Sequence, residues 1–473
     1  MNTLFCVAAM YFNEPLPFIS SFISDVNATL LKEGNGSLSS KQQEWLCFSM
    51  MGLLSSRKLC WKENERNSLN LYSDGAQSWM FRHASIPWKE LMKAFVSSTL
   101  HEFKITKGSL VIDETDRERS KSTKQIYHLH YLKDKKSGGT VPGQCIVFLL
   151  LVTPSISIPV GFDFYMPDPE RTKWKKEENR LKKLGVPARD RPQEVLRRAE
   201  YPTKQEIGIA LLKEFKSNFP DIDVFSVNAD ALYGSADFLD QAEAIYPQIV
   251  SQIRGDQNIK IRGVEKSVHT YFAALPPLSK KVTIRGDKKQ KIIFNSARLH
   301  VSAHGKKRFI IALKYEGETE FRYLVATDMT WRTHDILQSF FLRWLIEVFF
   351  EDWKGHEGWG QFAKHTGEDG SRHGLILSLM FDCCLFRHHD QKTSIKQKLP
   401  AYTVASITSK ARAESLIQLI QNLFQLPENH EKIEELSESV KNIFPLKISK
   451  KHFSGRRMPK LKPSPRLAYK KAA

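Results

Sequence analysis

Hydrophobic and polar positions divide the chain into stretches of different period. Up to about residue 105 the apolar residues recur at a spacing near 3.6, as in Lys41–Leu54 and Trp88–Phe103, with polar breaks at Gly34–Ser40 and Glu63–Asn70. This predicts a helical region without a helix-turn-helix pattern. From Gly108 the pattern becomes that of strands. Ser109–Ile112 is a short apolar run ending at Asp113, and Cys145–Val152 and Ile156–Tyr165 are apolar runs joined by Thr153-Pro154-Ser155, a hairpin signal. Thr203–Ser217 reads as a helix opened by a capping box, Thr203 with Glu206. Asp223–Val227 is a strand leading to Asp230, followed by a helix at Ser235–Ile245 and a strand at Gln248–Ile253. Alternating strands at Lys291–Phe294, Arg308–Leu313 and Phe321–Ala326, with turns at Gly286, Gly305 and Gly317, predict a β-rich insertion over 255–329. Thr333–Lys354 is predicted as one helix, and Ala413–Phe424 and Glu431–Phe444 as amphipathic helices.

Composition narrows the partner but not the chemistry. The chain has 473 residues, 41% hydrophobic and 11% aromatic, enough for several domains and a sizeable core. Lys and Arg number 71 against 52 Asp and Glu, a net charge of +19, which favours a polyanionic partner through counterion release. An RNA-binding role gives the same balance, so charge does not choose the partner. Residues 171–198 hold eleven Lys or Arg against four acids, a solvated segment by default and a phosphate-facing surface by inference. Residues 447–473 hold ten Lys or Arg and no acid, and read as a basic tail. The cysteines form no C-x-x-C pair and no zinc-spaced cluster with histidine. The apolar start lacks a basic lead-in and a cleavage site, so it is not read as a signal peptide. The longest apolar run, Cys145–Val152, is too short to span a bilayer, so no membrane is expected. Neither G-x-x-x-x-G-K-[ST] nor a strand-coupled G-x-G-x-x-G occurs, which argues against a nucleotide-binding enzyme.

Three carboxylates stand out by context. Asp113 follows an apolar strand in SLVIDETD, and Asp230 follows another in VFSVNADALYG. On the helix Thr333–Lys354, at about 100° per residue, Phe340, Arg343, Glu347 and Lys354 share an arc of roughly 60°. Two strand-end aspartates and a helical glutamate suit a metal-dependent phosphoryl-transfer site, with hard oxygen ligands for Mg²⁺. The residues alone leave alternatives open. Asp113 also fits a turn or cap, with Glu114 or Asp116 as the ligand, Asp230 fits a helix cap, and Glu351 shares the face of Glu347. Arg343 and Glu347 also fit a plain i,i+4 ion pair. Trp331, Trp344, Trp353 and Trp359 are core positions by default and base-stacking positions by inference, and His356, His365 and His373 read as solvated or phosphate-facing.

The order of these blocks resembles the DDE-type insertion-sequence transposases of the insertion sequence 4 group. Their helical signature Y-x2-R-x3-E-x6-K is matched by Phe340-x2-Arg343-x3-Glu347-x6-Lys354. Val111-Ile112-Asp113-Glu114-Thr115 looks like the first aspartate block, and Asp230-Ala231-x-Tyr233-Gly234 like the second, D-x-x-Y-G. Arg343-Trp344 and the strand end at Leu324–Asp328 also match, and the resemblance covers roughly residues 108–365. It implies an α/β fold with a ribonuclease H-like core and an inserted β-rich subdomain, flanked by helical N- and C-terminal regions. The expected division is 1–105 helical and DNA-binding, 106–254 first part of the core, 255–329 inserted β subdomain, 330–390 catalytic helix and end of the core, 391–446 helical, and 447–473 basic tail. It implies Asp113, Asp230 and Glu347 as catalytic residues holding two Mg²⁺ ions, with Mn²⁺ as a substitute, and picks Glu347 over Glu351. Arg343, Lys354, Phe340 and Trp344 are implied to face DNA phosphate. Implied partners are double-stranded DNA, as transposon ends and target, and a second copy in a homodimeric synaptic complex in the bacterial cytoplasm, at the nucleoid. One departure is Phe340, where the family carries Tyr. The ring remains and a hydroxyl donor is lost, a hydrogen bond to phosphate of about 1.5–3 kcal/mol.

Overall fold

A computed structural model describes residues 15–424 apart from 57–59, 68–71, 120–124, 135–136, 286–287 and 359–364, and after them only 434, 446, 448 and 449. Trp359, Gly286, nearly all of the helix expected over 431–444 and nearly all of the basic tail lie outside the described residues.

The N-terminal region is helical, with α1 (Pro17–Lys32), α2 (Ser40–Ser56), α3 (Trp61–Asn67), α4 (Asp74–His83) and α5 (Trp88–Glu102). α1 buries Ile19, Phe22, Ile23, Val26 and Leu30, a stripe at helical spacing. α2 buries every residue from Trp45 to Leu54, so it is enclosed by its neighbours. Strand structure begins with β1 (Lys107–Glu118), β2 (His130–Lys133), β3 (Thr140–Val152) and β4 (Ser157–Tyr165). The expected hairpin is present as β3–β4, closed by the Thr153 hydroxyl donating to the Ile156 carbonyl at 2.8 Å. β1 runs well beyond Ile112, so Asp113 lies inside a strand rather than at its end. The cause is β3, which pairs with β1 as far as Glu118 opposite Gly143.

Next come α6 (Pro169–Lys183), α7 (Lys204–Asn218), β5 (Asp223–Ala229), α8 (Ala236–Glu243) and β6 (Ile249–Ile253). The capping box of α7 forms, with the Thr203 N–H donating to Glu206 at 2.6 Å and the Glu206 N–H to the Thr203 hydroxyl at 3.1 Å. The β-rich segment holds β7 (Asn258–Ile261), β8 (Val264–Ser267), α9 (Val268–Ala273), β9 (Leu278–Arg285), β10 (Lys288–Val301), β11 (Lys306–Tyr315) and β12 (Arg322–Ala326). The chain then runs through α10 (Thr333–Phe341), α11 (Trp344–His356), α12 (Gly367–Leu385), α13 (His389–Lys396) and α14 (Val404–Phe424).

All twelve strands join one mixed sheet, in the order β2-β3-β1-β5-β6-β12-β11-β10-β7-β8, with β4 on β3 and β9 on β10. β3 runs antiparallel to both β1 and β4, while β1, β5 and β6 run parallel. β12 pairs antiparallel with β6, so the β-rich segment continues the sheet of the preceding strands. The fold is mixed α/β. No described helix is long and apolar enough to cross a membrane.

The helix expected over Thr333–Lys354 is two helices. At the junction the N–H groups of Leu342 and Arg343 reach back three residues, to Ser339 and Phe340 carbonyls at 3.0 Å each, a tightened turn that ends α10. The two halves bury against different partners. Ile336, Leu337, Phe340 and Phe341 of α10 pack with Phe225, Val250, Phe309 and Leu324, whereas Leu345, Ile346, Phe349 and Trp353 of α11 pack into the main core.

α10 is also pinned by polar groups. The Ser339 hydroxyl donates to Asn228 Oδ1 at 2.7 Å and lies 2.6 Å from the Ser226 hydroxyl, which lies 2.9 Å from that of Ser109. These side chains are buried and join α10, β5 and β1. A closed polar network in an apolar setting fixes register, because any slip leaves donors unsatisfied. Replacing Asn228 with Leu is expected to lower unfolding free energy by about 1–3 kcal/mol in urea titration. A change below about 0.5 kcal/mol would show that the network does not hold the helix.

Candidate active site

Alternation along β1 sorts its side chains between two faces. Ile112 reaches toward Gly208 of α7, where a Cβ would lie 3.7 Å from its Cδ1. Asp113 turns the other way, and its Oδ2 accepts from Arg343 Nη1 at 3.0 Å. Glu114 returns to the α7 face, accepting from Lys204 Nζ at 3.0 Å and the Tyr233 hydroxyl at 3.3 Å. Thr115 faces α11, its hydroxyl 2.5 Å from Lys354 Nζ, which also donates to the Asp116 carbonyl at 2.8 Å. Strand geometry therefore puts Asp113, and not Glu114, on the face that carries Glu347.

Asp230 stands beside Asp113 because β1 and β5 are parallel and in register up to Ile112 opposite Ala229. Asp113 and Asp230 occupy the next position on each chain, close enough for the charge of Asp230 to act on Asp113. Asp230 also caps the turn that follows it, with Oδ1 accepting from the Leu232 N–H at 2.9 Å, so its capping role is real. Its carbonyl accepts from the Ser251 hydroxyl at 2.6 Å. Gly234 has a steric reason. A Cβ there would sit 2.0 Å from the Gln252 carbonyl oxygen of β6, so only glycine allows the turn after Asp230 to lie against that strand. Tyr233 is fully buried, and its hydroxyl ties the same turn to Glu114.

The guanidinium of Arg343 links the first and third carboxylates. Nη1 holds Asp113 and Nη2 holds Glu347 Oε1 at 2.8 Å, with the cation 5.9 Å from the Phe340 ring centre. The i,i+4 pair is thus present, but the arginine also bridges to β1. No ion pair connects Arg343 with Glu351 among the described residues. Glu347 is 49% exposed on its side chain, Asp113 only 14%. Phe340 is a core residue at 7% exposure. Trp344 is half-buried against the main core.

Burial pushes the Asp113 carboxyl up to about 7; Arg343 pulls against this, and the nearby charges of Asp230 and Glu114 add to the rise. A carboxylate destabilised by burial and by a second carboxylate is the environment in which a cation relieves the repulsion. The donor set is oxygen only, which suits a hard divalent ion. In the arrangement described, the three carboxylates do not form one group with all ligand oxygens within 4.8 Å. Among the described residues His388, Asp390 and Glu414 do form such a group. There, however, Lys410 Nζ already sits 2.6 Å from Asp390, so the charge is met within the protein.

The remaining expectations divide. Trp331 and Trp353 are core, with Trp353 Nε1 donating to the Ser378 hydroxyl at 2.8 Å. His365 and His373, expected to be solvated or phosphate-facing, are instead half-buried against aromatic rings. His365 packs 4.5 Å from Phe81, and His373 stacks on Trp88 at 4.3 Å and 13°, in an aromatic cluster joining α4 and α5 to α12. Burial lowers the His365 pKa to about 4, so it stays neutral there. Two features escaped the sequence reading. Glu114–Lys204 spans 90 residues of chain and left no local trace. Ser226 and Asn228, by contrast, are polar at period two within an apolar strand, a signal of a shared buried partner.

No protein-family model matches the chain, and no curated protein matches it in sequence. Among solved structures, it is similar to a piggyBac transposase synaptic complex with hairpin DNA, determined by cryo-EM. The identity is 10% and the TM-score 0.40, covering 92% of this chain and 85% of that chain. A likeness of that degree does not fix a shared fold.

Two outcomes test this geometry. Gly234→Ala is expected to destabilise the protein by about 2 kcal/mol or more in denaturant unfolding, since backbone rather than a flexible side chain must move; an unchanged midpoint would contradict the close approach. For Asp113 the folded value of about 7 lies above the ordinary 3.8. Between these values the folded protein keeps a proton that the unfolded chain releases, so stability is full below the lower value and is lost as pH rises through the upper. Asp113→Asn escapes that loss. Relative to the parent its stability should rise between pH 4.5 and pH 8, by on the order of 2–4 kcal/mol. A flat difference across that range rejects the buried-charge account.

Proposed function

We propose that this chain is a DDE transposase of the insertion sequence 4 group, which binds the ends of its element and carries out metal-dependent DNA strand cleavage and strand transfer. The observation that carries this reading is the meeting of separate sequence blocks at one place. Asp230 lies in register beside Asp113, and the guanidinium of Arg343, 230 residues from Asp113 along the chain, joins Asp113 to Glu347. Lys354, from the same signature, grips β1 two residues further on. The five strands β4-β3-β1-β5-β6, antiparallel at first and then parallel, support a ribonuclease H-like core with β7–β12 inserted before the Glu347 helix.

In this reading Asp113, Asp230 and Glu347 hold two Mg²⁺ ions, or Mn²⁺ in their place. Bound there, the ions supply Lewis-acid stabilisation of a scissile phosphate and acidify an attacking water or 3′-hydroxyl. Arg343 offers a planar fork and Lys354 a point charge to backbone phosphate. Phe340 lies beneath Arg343 and orients it without donating a hydrogen bond. Trp344, next to Arg343 and half-buried against the main core, is assigned to the same phosphate contact. The helical N-terminal region and the basic tail add DNA contacts, and two copies pair the ends. The reaction belongs in the bacterial cytoplasm, at the nucleoid.

A second reading, an inactive or domesticated DNA-binding derivative or nuclease, is favoured by one observation. Arg343 pairs with both Asp113 and Glu347, so the three side chains already form a structural bridge. The two readings separate on DNA carrying the sequences that flank this gene, incubated with Mg²⁺ or with EDTA. The transposase reading expects cleavage at a flanking repeat, lost with EDTA. Asp113→Asn, Asp230→Asn and Glu347→Gln should each reduce it by on the order of a hundredfold or more while binding persists. Binding without cleavage in every lane establishes the inactive, DNA-binding form of the second reading.

A further inference from the structure

We propose that α6 grips the phosphate backbone of duplex DNA through an outward stripe formed by Lys173, Lys176 and Lys183. This rests on the reading above that DNA is the partner of the acidic site.

α6 buries no residue at all, so core packing does not explain it. Within the excursion from Asp168 to Arg198, arginines and lysines do different work. The arginines hold it together. Arg171 pairs with Glu194 at 2.8 Å, Arg180 with Glu177 at 2.6 Å, Arg191 with Glu178 at 2.9 Å, Arg197 with Glu206 at 2.7 Å and Arg198 with Asp168 at 3.0 Å. Lys173, Lys175, Lys176, Lys182 and Lys183 are exposed, and none forms an ion pair with a described acid.

Helix geometry separates these lysines. Lys173, Lys176 and Lys183 share an arc of about 80° and a rise of about 15 Å, with Arg180 among them. Lys175 and Lys182 lie on the opposite side. The returning loop packs against that other side, where Trp174 Nε1 donates to the Pro192 carbonyl at 3.0 Å and Glu178 holds Arg191. The stripe therefore faces away from the protein.

Both feet of the excursion stand on the α7 face of the sheet, across β1 from the side chain of Asp113. It leaves from Tyr165 at the end of β4 and returns at Thr203, the cap of α7. The next residue, Lys204, has its ammonium 5.2 Å from the Tyr165 ring centre and 3.0 Å from Glu114, neighbour of Asp113. A line of exposed ammonium groups about 15 Å long matches the spacing of successive phosphates along a nucleic-acid backbone.

The test is duplex binding by the full chain in EDTA, followed by fluorescence anisotropy across 50–300 mM salt. Changing Lys173, Lys176 and Lys183 together to Gln should lower the slope of log affinity against log salt by about two to three, and weaken binding at 100 mM salt on the order of a hundredfold. The control pair Lys175→Gln with Lys182→Gln should leave the slope unchanged. An unchanged slope in the triple variant, an equal loss in the control pair, tighter binding of duplex RNA, or no duplex binding by the parent each overturns the proposal. Asp113→Asn should keep the parental slope. Absence of cleavage by the parent defeats the catalytic reading while leaving this measurement intact. Full cleavage by the triple variant with an unchanged slope defeats α6 alone.

Discussion

The parallel pairing of β1 with β5 sets two carboxylates side by side in a sheet lined mostly by apolar side chains. Everything around the site answers that arrangement. Asp113 is largely removed from water, next to the charges of Asp230 and Glu114, and its protonated form is favoured to near neutral pH. Arg343 meets part of the charge from the α10–α11 junction. Lys204 and Tyr233 meet that of Glu114 on the opposite face. Such a cluster costs stability, because burial and a second carboxylate both disfavour the charged form.

Rigidity is concentrated where the carboxylates are presented. The buried Ser109–Ser226–Asn228–Ser339 network ties α10 to the two strands that carry the aspartates. The close approach of Gly234 to β6 holds the turn after Asp230. Lys354 anchors α11 to the far part of β1. Glu347, by contrast, is exposed and held only by a side chain, so its position relative to the aspartates depends on Arg343.

The break between α10 and α11 follows from the same packing. One continuous helix would present a single stripe, yet the two halves bury against separate cores, α10 over β5, β6 and β11 and α11 among the main-core aromatics. The tightened turn at Leu342 and Arg343 accommodates both and leaves Arg343 half-buried at the junction.

Local pattern by itself determined much of this protein. The capping box at Thr203, the hairpin of β3 and β4, the strand before Asp230 and the positions of Arg343, Glu347 and Lys354 along the chain all follow from neighbours within a few residues. So did the charge of the segment that forms α6. Other features needed the tertiary structure because their causes lie far apart in sequence. β3 extended β1 past Asp113 by pairing with it, and alternation along that longer strand then sent Asp113 and Glu114 to opposite faces. Two separate cores divided the long helix. His365 and His373, polar by composition, entered an aromatic cluster supplied by α4 and α5. Which cations of the basic segment pair with acids and which face solvent was decided by where its loop returned.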